Sequence, residues 1–357
     1  MTKQLNYWDH VSEYETDPSW RDHPPAGYAE YRKRFEETAA RTYTGDFPVS
    51  LEVECSYHCN LSCPSCARGY HEDRRELTHM SQELWDKIIT ECRDNKLDAI
   101  FMDHEAESLM NPRFVGMLNA ARDAGIIDIW LHTNACLLKP ELAEQLIDGG
   151  LSKINFSIDA FSEEVYDKIR VGGNFQKVMS NIDNFLKLKK QKGADHLRVR
   201  VSFVVQEDNL HERQAFFDYW KNKSGINLVT FQERIDFSLF FQNTDPDDHL
   251  SEAELDEKYK DVEPFYCSLP YEQPIIDVHG NVIPCGMPIS EQNQDFILGN
   301  LLLGETIKSC WMGEKMRLLK ERLNQGKWYR TRMCRICSHI SRNTIDSHLK
   351  KERLEGQ

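Results

Sequence analysis

From Val49 to Gln232 the chain alternates short β-branched or aromatic runs with longer amphipathic stretches, and this rhythm limits its fold more tightly than any other feature. The runs VSLEVE (49–54), DAIFM (98–102), IDIWLH (127–132), KINFSI (153–158), LRVRVSFVV (197–205) and NLVTFQ (227–232) predict strands. Segments near 81–95, 113–124, 139–148, 162–190 and 210–222 predict the helices between them. Strands that alternate with helices make a parallel sheet with right-handed crossovers. Six such units point to an α/β fold, a partial TIM-like (βα)6 barrel over residues 48–235.

The flanks read differently. Residues 1–47 form an N-terminal extension with a predicted helix over about 27–41. Residues 236–264, containing TDPDDHLSEAELDEKYKDVE, read as an acidic linker with one exposed helix. Residues 265–340 read as a small cysteine-rich module, with a hairpin turning at His279-Gly280-Asn281 and an amphipathic helix near 312–325, and residues 341–357 as a tail. The net charge, 44 − 58 = −14, offers no general footing for nucleic acid or anionic lipid. No apolar run is long enough for a membrane span, and MTKQLNYWDHVSEYE lacks the basic start and apolar core of a secretory signal. A cytoplasmic location is therefore expected.

Eleven cysteines is an odd number, so they cannot all pair with one another, and in a reducing compartment clustered thiols more often bind metal. Cys59, Cys63 and Cys66 lie on one loop after the first predicted strand, where barrel active sites form. Three thiolates can hold three corners of a [4Fe-4S] cluster and leave one iron open to an exogenous ligand. The residue types equally accept structural zinc, with Cys55 or His58 as a fourth ligand. Cys267, Cys285, Cys334 and Cys337 form a second set, because the hairpin brings the first two together and a helix returns the C-x-x-C pair. Four thiolates suit either zinc or a fully ligated cluster.

The loop CSYHCNLSCPSC resembles the signature of the radical S-adenosylmethionine (SAM) superfamily, and the resemblance extends along residues 49–232. HEAESLMNP (104–112) is similar to the family's Gly-Gly-Glu-Pro segment, with Glu107 at the Glu, while Ala106 and Ser108 depart from it. HTNACLL (132–138) is similar to Thr-Asn-Gly-x-Leu-Leu, with Ala135 replacing Gly. Ser157 and Asp159 match the family's Ser-x-Asp, YDKIRVGGNFQKVMSNI (166–182) follows in the usual place, and Asn209 matches a further habit. The resemblance implies that Glu107 contacts the SAM amino group and that Ser157 and Asp159 lie at its ribose; Arg198 and Arg200, two apart on the same side of a strand, are the candidates to clamp its carboxylate, with Arg200 preferred. The C-terminal set resembles the SPASM module, in its shorter twitch form with one auxiliary [4Fe-4S] cluster, because no cysteine follows Cys337.

What the resemblance implies is reductive cleavage of SAM to a 5′-deoxyadenosyl radical that removes a hydrogen atom from substrate, with flavodoxin or ferredoxin as electron donor. An auxiliary cluster favours dehydrogenation of a small polar substrate such as a sugar or aminocyclitol. A peptide substrate, a radical epimerase and a zinc-stapled binding protein are the alternatives. Asp103, His104, Glu105, Glu233, Arg234 and Asp236 lie near strand ends as candidate bases or orienting groups, Glu105 among them as a catalytic residue. Cys55, Cys92, Cys136 and Cys310 are left over; packing is their default, and Cys136, beyond the third strand, is the candidate hydrogen-atom donor.

Overall fold

The computed structural model describes residues 5–6, 11–43, 45–70, 78–235, 237, 245–262, 265–287 and 291–337. Asp236 and the 341–357 tail lie outside the described residues. Six strands fall where the sequence places them: β2 (Ser50–Val53), β3 (Ala99–Phe101), β4 (Asp128–Thr133), β5 (Lys153–Ser157), β6 (Arg198–Val205) and β7 (Leu228–Glu233). All five neighbouring pairs are parallel and follow chain order. The crossovers are α2 (Gln82–Asp94), α3 (Phe114–Asp123), α4 (Pro140–Asp148), α5 (Glu163–Ile169) with α6 (Phe175–Gln191), and α7 (Arg213–Trp220).

The helices bury the outward face of the sheet. Leu51, Ile100, Leu131, Ile154, Phe156, Val201, Phe203 and Val229 are fully buried there, together with Leu84, Ile88, Val178 and Phe185 from the helices. The predicted 162–190 helix is two helices. Gly172, at φ +94°, and Gly173 interrupt it, and Asn174 caps the second segment by accepting from the Lys177 N–H.

The inward face is polar. In-register pairing sets Trp130, Lys153 and Arg198 side by side, and above them His132, Asn155 and Arg200. Lys153 lies over the Trp130 ring at 3.6 Å, and burial lowers its pKa well below the ordinary lysine value. Arg198 pairs with fully buried Asp128, accepts no freedom to reach the mouth, and is boxed by the Trp20 and Tyr28 rings at 4.8 and 5.3 Å.

Both flanks join the barrel sheet instead of standing apart from it. β1 (Val11–Glu15), which the sequence does not reveal, runs antiparallel to β7, and α1 (Tyr28–Ala39) brings the Tyr28 hydroxyl to Arg198 at 2.9 Å. At the other edge β8 (Ile275–Ile276) pairs parallel with β2, and β9 (Asn281–Ile283) and β10 (Gly299–Asn300) continue antiparallel, giving ten strands in one sheet among the described residues. The hairpin turns as expected: the Gly280 N–H donates to the Asp277 carbonyl at 3.0 Å, with Gly280 at φ +81°.

The acidic segment is not a free linker. Its helix α8 (Glu252–Tyr259) starts on a Ser251–Glu254 capping box and buries Leu255 and Tyr259, with Tyr259 stacked on Tyr329. Its carboxylates pair with arginines of the cysteine module: Asp245 with Arg335, Asp248 with Arg332, and Asp256 with Arg330. The helix expected near 312–325 is α9 (Ile307–Met312) followed by α10 (Glu314–Asn324), broken at Gly313. No helix of the described residues is long and apolar enough to cross a membrane.

Asp128→Ala would strand a buried guanidinium, so it is expected to cost about 3–5 kcal/mol of stability. Thermal or denaturant unfolding of the variant checks this.

Candidate active site

A cavity of about 790 Å³ opens at the carboxyl ends of the parallel strands. Cys59, Cys63 and Cys66 form one wall, Asp103 to Glu107 from the end of β3 another, and His132, Asn134, Ser157, Asp159 and Arg170 a third. Gln232, Arg234, Ile235 and Phe237 complete it.

Glu107 knits two of these walls together. It is 3% exposed; its carboxylate accepts from the Thr133 hydroxyl and the Asn134 N–H, each at 2.8 Å, and its own N–H donates to the His58 carbonyl at 3.0 Å. Burial pushes its carboxyl up to about 7 against those hydrogen bonds. Asp159 has φ +62° and spends one carboxylate oxygen on the Val204 N–H at 2.7 Å and the other on Arg170 at 2.5 Å. Burial raises its pKa while Arg170 opposes the rise.

His104 and Asp103, adjacent in sequence, reach opposite ways. His104 Nδ1 lies 2.7 Å from a Glu52 carboxylate oxygen and Nε2 lies 3.6 Å from Glu105. Gln273, just before β8, donates to the other Glu52 oxygen at 3.0 Å. Asp103 instead accepts from the His132 backbone at 3.1 Å and lies 2.8 Å from His132 Nδ1. Arg200 donates to His132 Nε2 at 2.8 Å, so the neutral ring carries its proton on Nδ1. Arg200 also donates to Asn155 at 2.9 Å and has Glu13 of β1 3.6 Å away.

The sequence-derived residues therefore divide. Cys59, Cys63, Cys66, Glu105, Glu107, Ser157 and Asp159 line one cavity. Arg200 and Cys136 do not. Arg200 sits one layer below Ser157, because its strand partner is Asn155 and that of Ser157 is Ser202. Cys136 is buried beneath its loop with its sulfur 4.0 Å from the Tyr166 hydroxyl. A hydrogen-atom donor must face the substrate, and this side chain faces the core. Cys55, Cys92 and Cys310 are buried, as packing requires. Among the candidate bases, Arg234 lines the cavity and Glu233 is buried at the end of β7. His132 and Arg170 lie at the site without having been singled out in the sequence. The Lys-Ile-Arg-Val-Gly-Gly string was the available signal for Arg170, and the strand-end position of His132 the signal for the other.

The second cysteine set also converges. Burial, and then the nearness of Cys267, Cys334 and Cys337, push the Cys285 thiol's pKa well up. Cys285 and Cys337 lie in an apolar shell with Leu269, Met287, Met333 and Ile336, Cys267 packs against it, and Cys334 packs on the adjoining cluster of Tyr259, Trp328 and Tyr329. Arg335 braces the C-x-x-C turn by bonding Asp245 at 2.6 Å and the Tyr329 carbonyl at 2.7 Å. Ile235 belongs to this shell and Phe237 packs on it; both also line the large cavity.

The sequence matches the radical SAM superfamily over residues 53–219 and the SPASM iron–sulfur cluster-binding domain over residues 267–338. The solved structure of anSMEcpe with bound AdoMet shares the fold at a TM-score of 0.55, with 17% identity over 81% of this chain and 88% of that one. A Methanococcus maripaludis protein named "Probable GTP 3',8-cyclase" is 29% identical over 178 residues, 50% of this chain and 56% of its own. A "GTP 3',8-cyclase" of Alkaliphilus metalliredigens is 30% identical over 141 residues, 39% of this chain and 43% of its own. The chain thus spans about half the length of the curated relatives it matches. Barrel, cysteine loop and second thiolate set together define an enzyme that uses SAM and iron–sulfur clusters. The chain carries a radical SAM domain over residues 53–219 and a SPASM domain over residues 267–338.

The donor sets fit those cofactors. Three cysteines present sulfur to one cavity, where a SAM-sized ligand has room, and four more come together between two adjoining apolar clusters. Among the described residues, no three His, Cys, Asp or Glu side chains stand at single-ion spacing. A four-iron cluster is larger than one ion and holds its thiolates further apart. Burial pushes the free thiols up, Cys59 to about 11 and Cys267 to about 12, so cluster assembly displaces bound protons.

The His104 contacts carry a pH signature. Burial pulls its pKa down, but the Glu52 hydrogen bond and the charges of Glu52, Glu105 and Glu54 outweigh that and hold it at about 10. The protonated ring stabilises the fold fully below the ordinary imidazole pKa near 6.5, and this is lost as pH rises through about 10. The melting-temperature gap between wild type and His104→Gln is expected to be widest below pH ~6.5 and to close above pH ~10. Thermal melts across that range check it.

Proposed function

We propose that the protein is a radical SAM oxidoreductase that dehydrogenates a small polar substrate. The carrying observation is that Ile235 and Phe237 both wall the cavity and pack in the shell of Cys267, Cys285 and Cys337. When bound, the cofactors supply a hydrogen-abstracting 5′-deoxyadenosyl radical at the cavity and an electron acceptor behind that apolar layer. Glu107 and the neighbouring backbone hold the SAM amino end, and Ser157 lies toward its ribose. Removal of a second hydrogen leaves a proton, for which Glu105 and the Asp103–His132 pair are the acceptors within the cavity wall, while His104, held protonated, orients Glu105. The layer of Ile235 and Phe237 excludes water between cavity and second cluster, so the electron leaves without the radical being quenched. A polar-lined cavity of this size, shared with SAM, supports a small substrate. Flavodoxin or ferredoxin in the cytoplasm is the proposed electron source.

One observation favours a second reading: the barrel half resembles relatives named GTP 3′,8-cyclase. The two readings separate by assay, since a cyclised GTP on incubation with GTP, SAM and dithionite would replace dehydrogenation. Under the same conditions without GTP, 5′-deoxyadenosine is expected. Cys59→Ala is expected to abolish it, and Cys334→Ala to leave uncoupled SAM cleavage with no oxidised product. Chromatography with mass detection reads both, and wild-type yield from Cys59→Ala would remove the assignment. With substrate in deuterium oxide, a product two mass units lighter marks dehydrogenation, whereas deuterium in an otherwise unchanged product marks epimerisation.

A further inference from the structure

The segment that follows α5 is clamped onto the three-cysteine loop. The Ser62 N–H donates to the Val171 carbonyl at 2.9 Å, and a Cβ on Gly172 would stand 3.3 Å from the Asn60 carbonyl oxygen. This close approach fixes Arg170, whose own N–H donates to the Tyr166 carbonyl at 2.7 Å. The Arg170 side chain is 13% exposed. Its Nη2 lies 2.5 Å from Asp159 Oδ2, and its Nη1 donates to Cys63 Sγ at 3.8 Å.

Asp159 is an anchor that cannot swing away. Its carboxylate accepts from the Val204 N–H, and its carbonyl accepts from Asn209 Nδ2 at 2.8 Å. Other donors to this loop's sulfurs are neutral: the Leu61 N–H at 3.4 Å and Asn134 Nδ2 at 3.9 Å to Cys59, and the Arg68 N–H to Cys66. Cys63 thus accepts from a fixed guanidinium, while the Arg68 charge acts on Cys59 and Cys66.

We propose that Arg170, held by Asp159, is a positioning residue that raises the reduction potential of the SAM-binding cluster through its contact with Cys63. Reduction adds one negative charge to the cluster, and a fixed guanidinium against a ligating thiolate stabilises the more negative state. Arg170 is permanently charged, so the effect does not fade across the working pH range. Asp159 offsets part of this charge, but the guanidinium, not the carboxylate, makes the contact with Cys63 Sγ. The inference rests on the cluster that the radical SAM domain carries and is indifferent to which substrate the cavity takes.

The test is an anaerobic redox titration of the reconstituted full chain followed by electron paramagnetic resonance. The SAM-binding cluster is the signal that changes on adding SAM and is missing from Cys59→Ala, which also separates failure of this proposal from failure of the cluster assignment. At a fixed potential, Arg170→Gln is expected to lower the reduced-to-oxidised ratio of that cluster about tenfold, equivalent to about 59 mV for a one-electron couple. Arg170→Lys, which keeps the charge, is expected to recover more than half of that shift, and the auxiliary signal to stay put. A ratio in Arg170→Gln within about twofold of wild type, or an equal shift of both clusters, would overturn the proposal. If Arg170→Gln does not assemble the cluster, Arg170→Lys decides. A loaded cluster near the wild-type ratio supports the proposal, and loss of the cluster there too overturns it in favour of a purely mechanical clamp.

Discussion

Parallel, in-order pairing from β2 to β7 is the constraint on which the other features depend. It sends every strand's carboxyl end to the same mouth, so loops distant in sequence meet in one wall. It also stacks inward-facing residues in level rows. His132, Asn155 and Arg200 share a row because their strands pair in that register, and their hydrogen bonds follow from it. A slip of one residue on β6 would turn both arginines out to the helices and bring Val199 and Val201 inside. The polar interior thus fixes the register as firmly as the apolar exterior does.

The two cysteine sets are parts of one assembly. β8 pairs with β2, the strand that leads into the three-cysteine loop, and Gln273 reaches Glu52, which in turn holds His104 at the cavity wall. Sheet pairing therefore ties the second set to the first through backbone hydrogen bonds and one buried polar chain. Ile235 and Phe237 form the thin side of that connection. For the proposed transfer of an electron from the cavity to the second cluster, these two residues are the shared apolar wall. The segment expected to be a linker instead spends its carboxylates on Arg330, Arg332 and Arg335.

Much of this was legible in the sequence. The six strands were visible because β-branched residues concentrate on an outer face that is wholly buried, and the cysteine spacing marked both thiolate sets. The illegible parts have physical reasons. β1 is an edge strand whose residues are half-buried or exposed, so VSEYE reads as polar, yet it delivers Glu13 toward Arg200. β8 is two residues long, too short for any periodicity. Arg200 shares its strand face with Arg198, which the sequence does show, but its depth in the barrel depends on register, which the sequence does not. Asp159 matches a motif, while its pairing with Arg170 depends on a glycine turn docking against a different loop.

The central claim is that the three-cysteine loop holds a four-iron cluster with one open iron and the second set a closed one. The most direct measurement is the Mössbauer spectrum of the chain reconstituted with ⁵⁷Fe, recorded with and without SAM. About one-eighth of the iron absorption, one iron of eight, is expected to shift on adding SAM while the rest stays unchanged. A spectrum indifferent to SAM, or a protein that retains zinc in place of iron at both sets, would contradict the account.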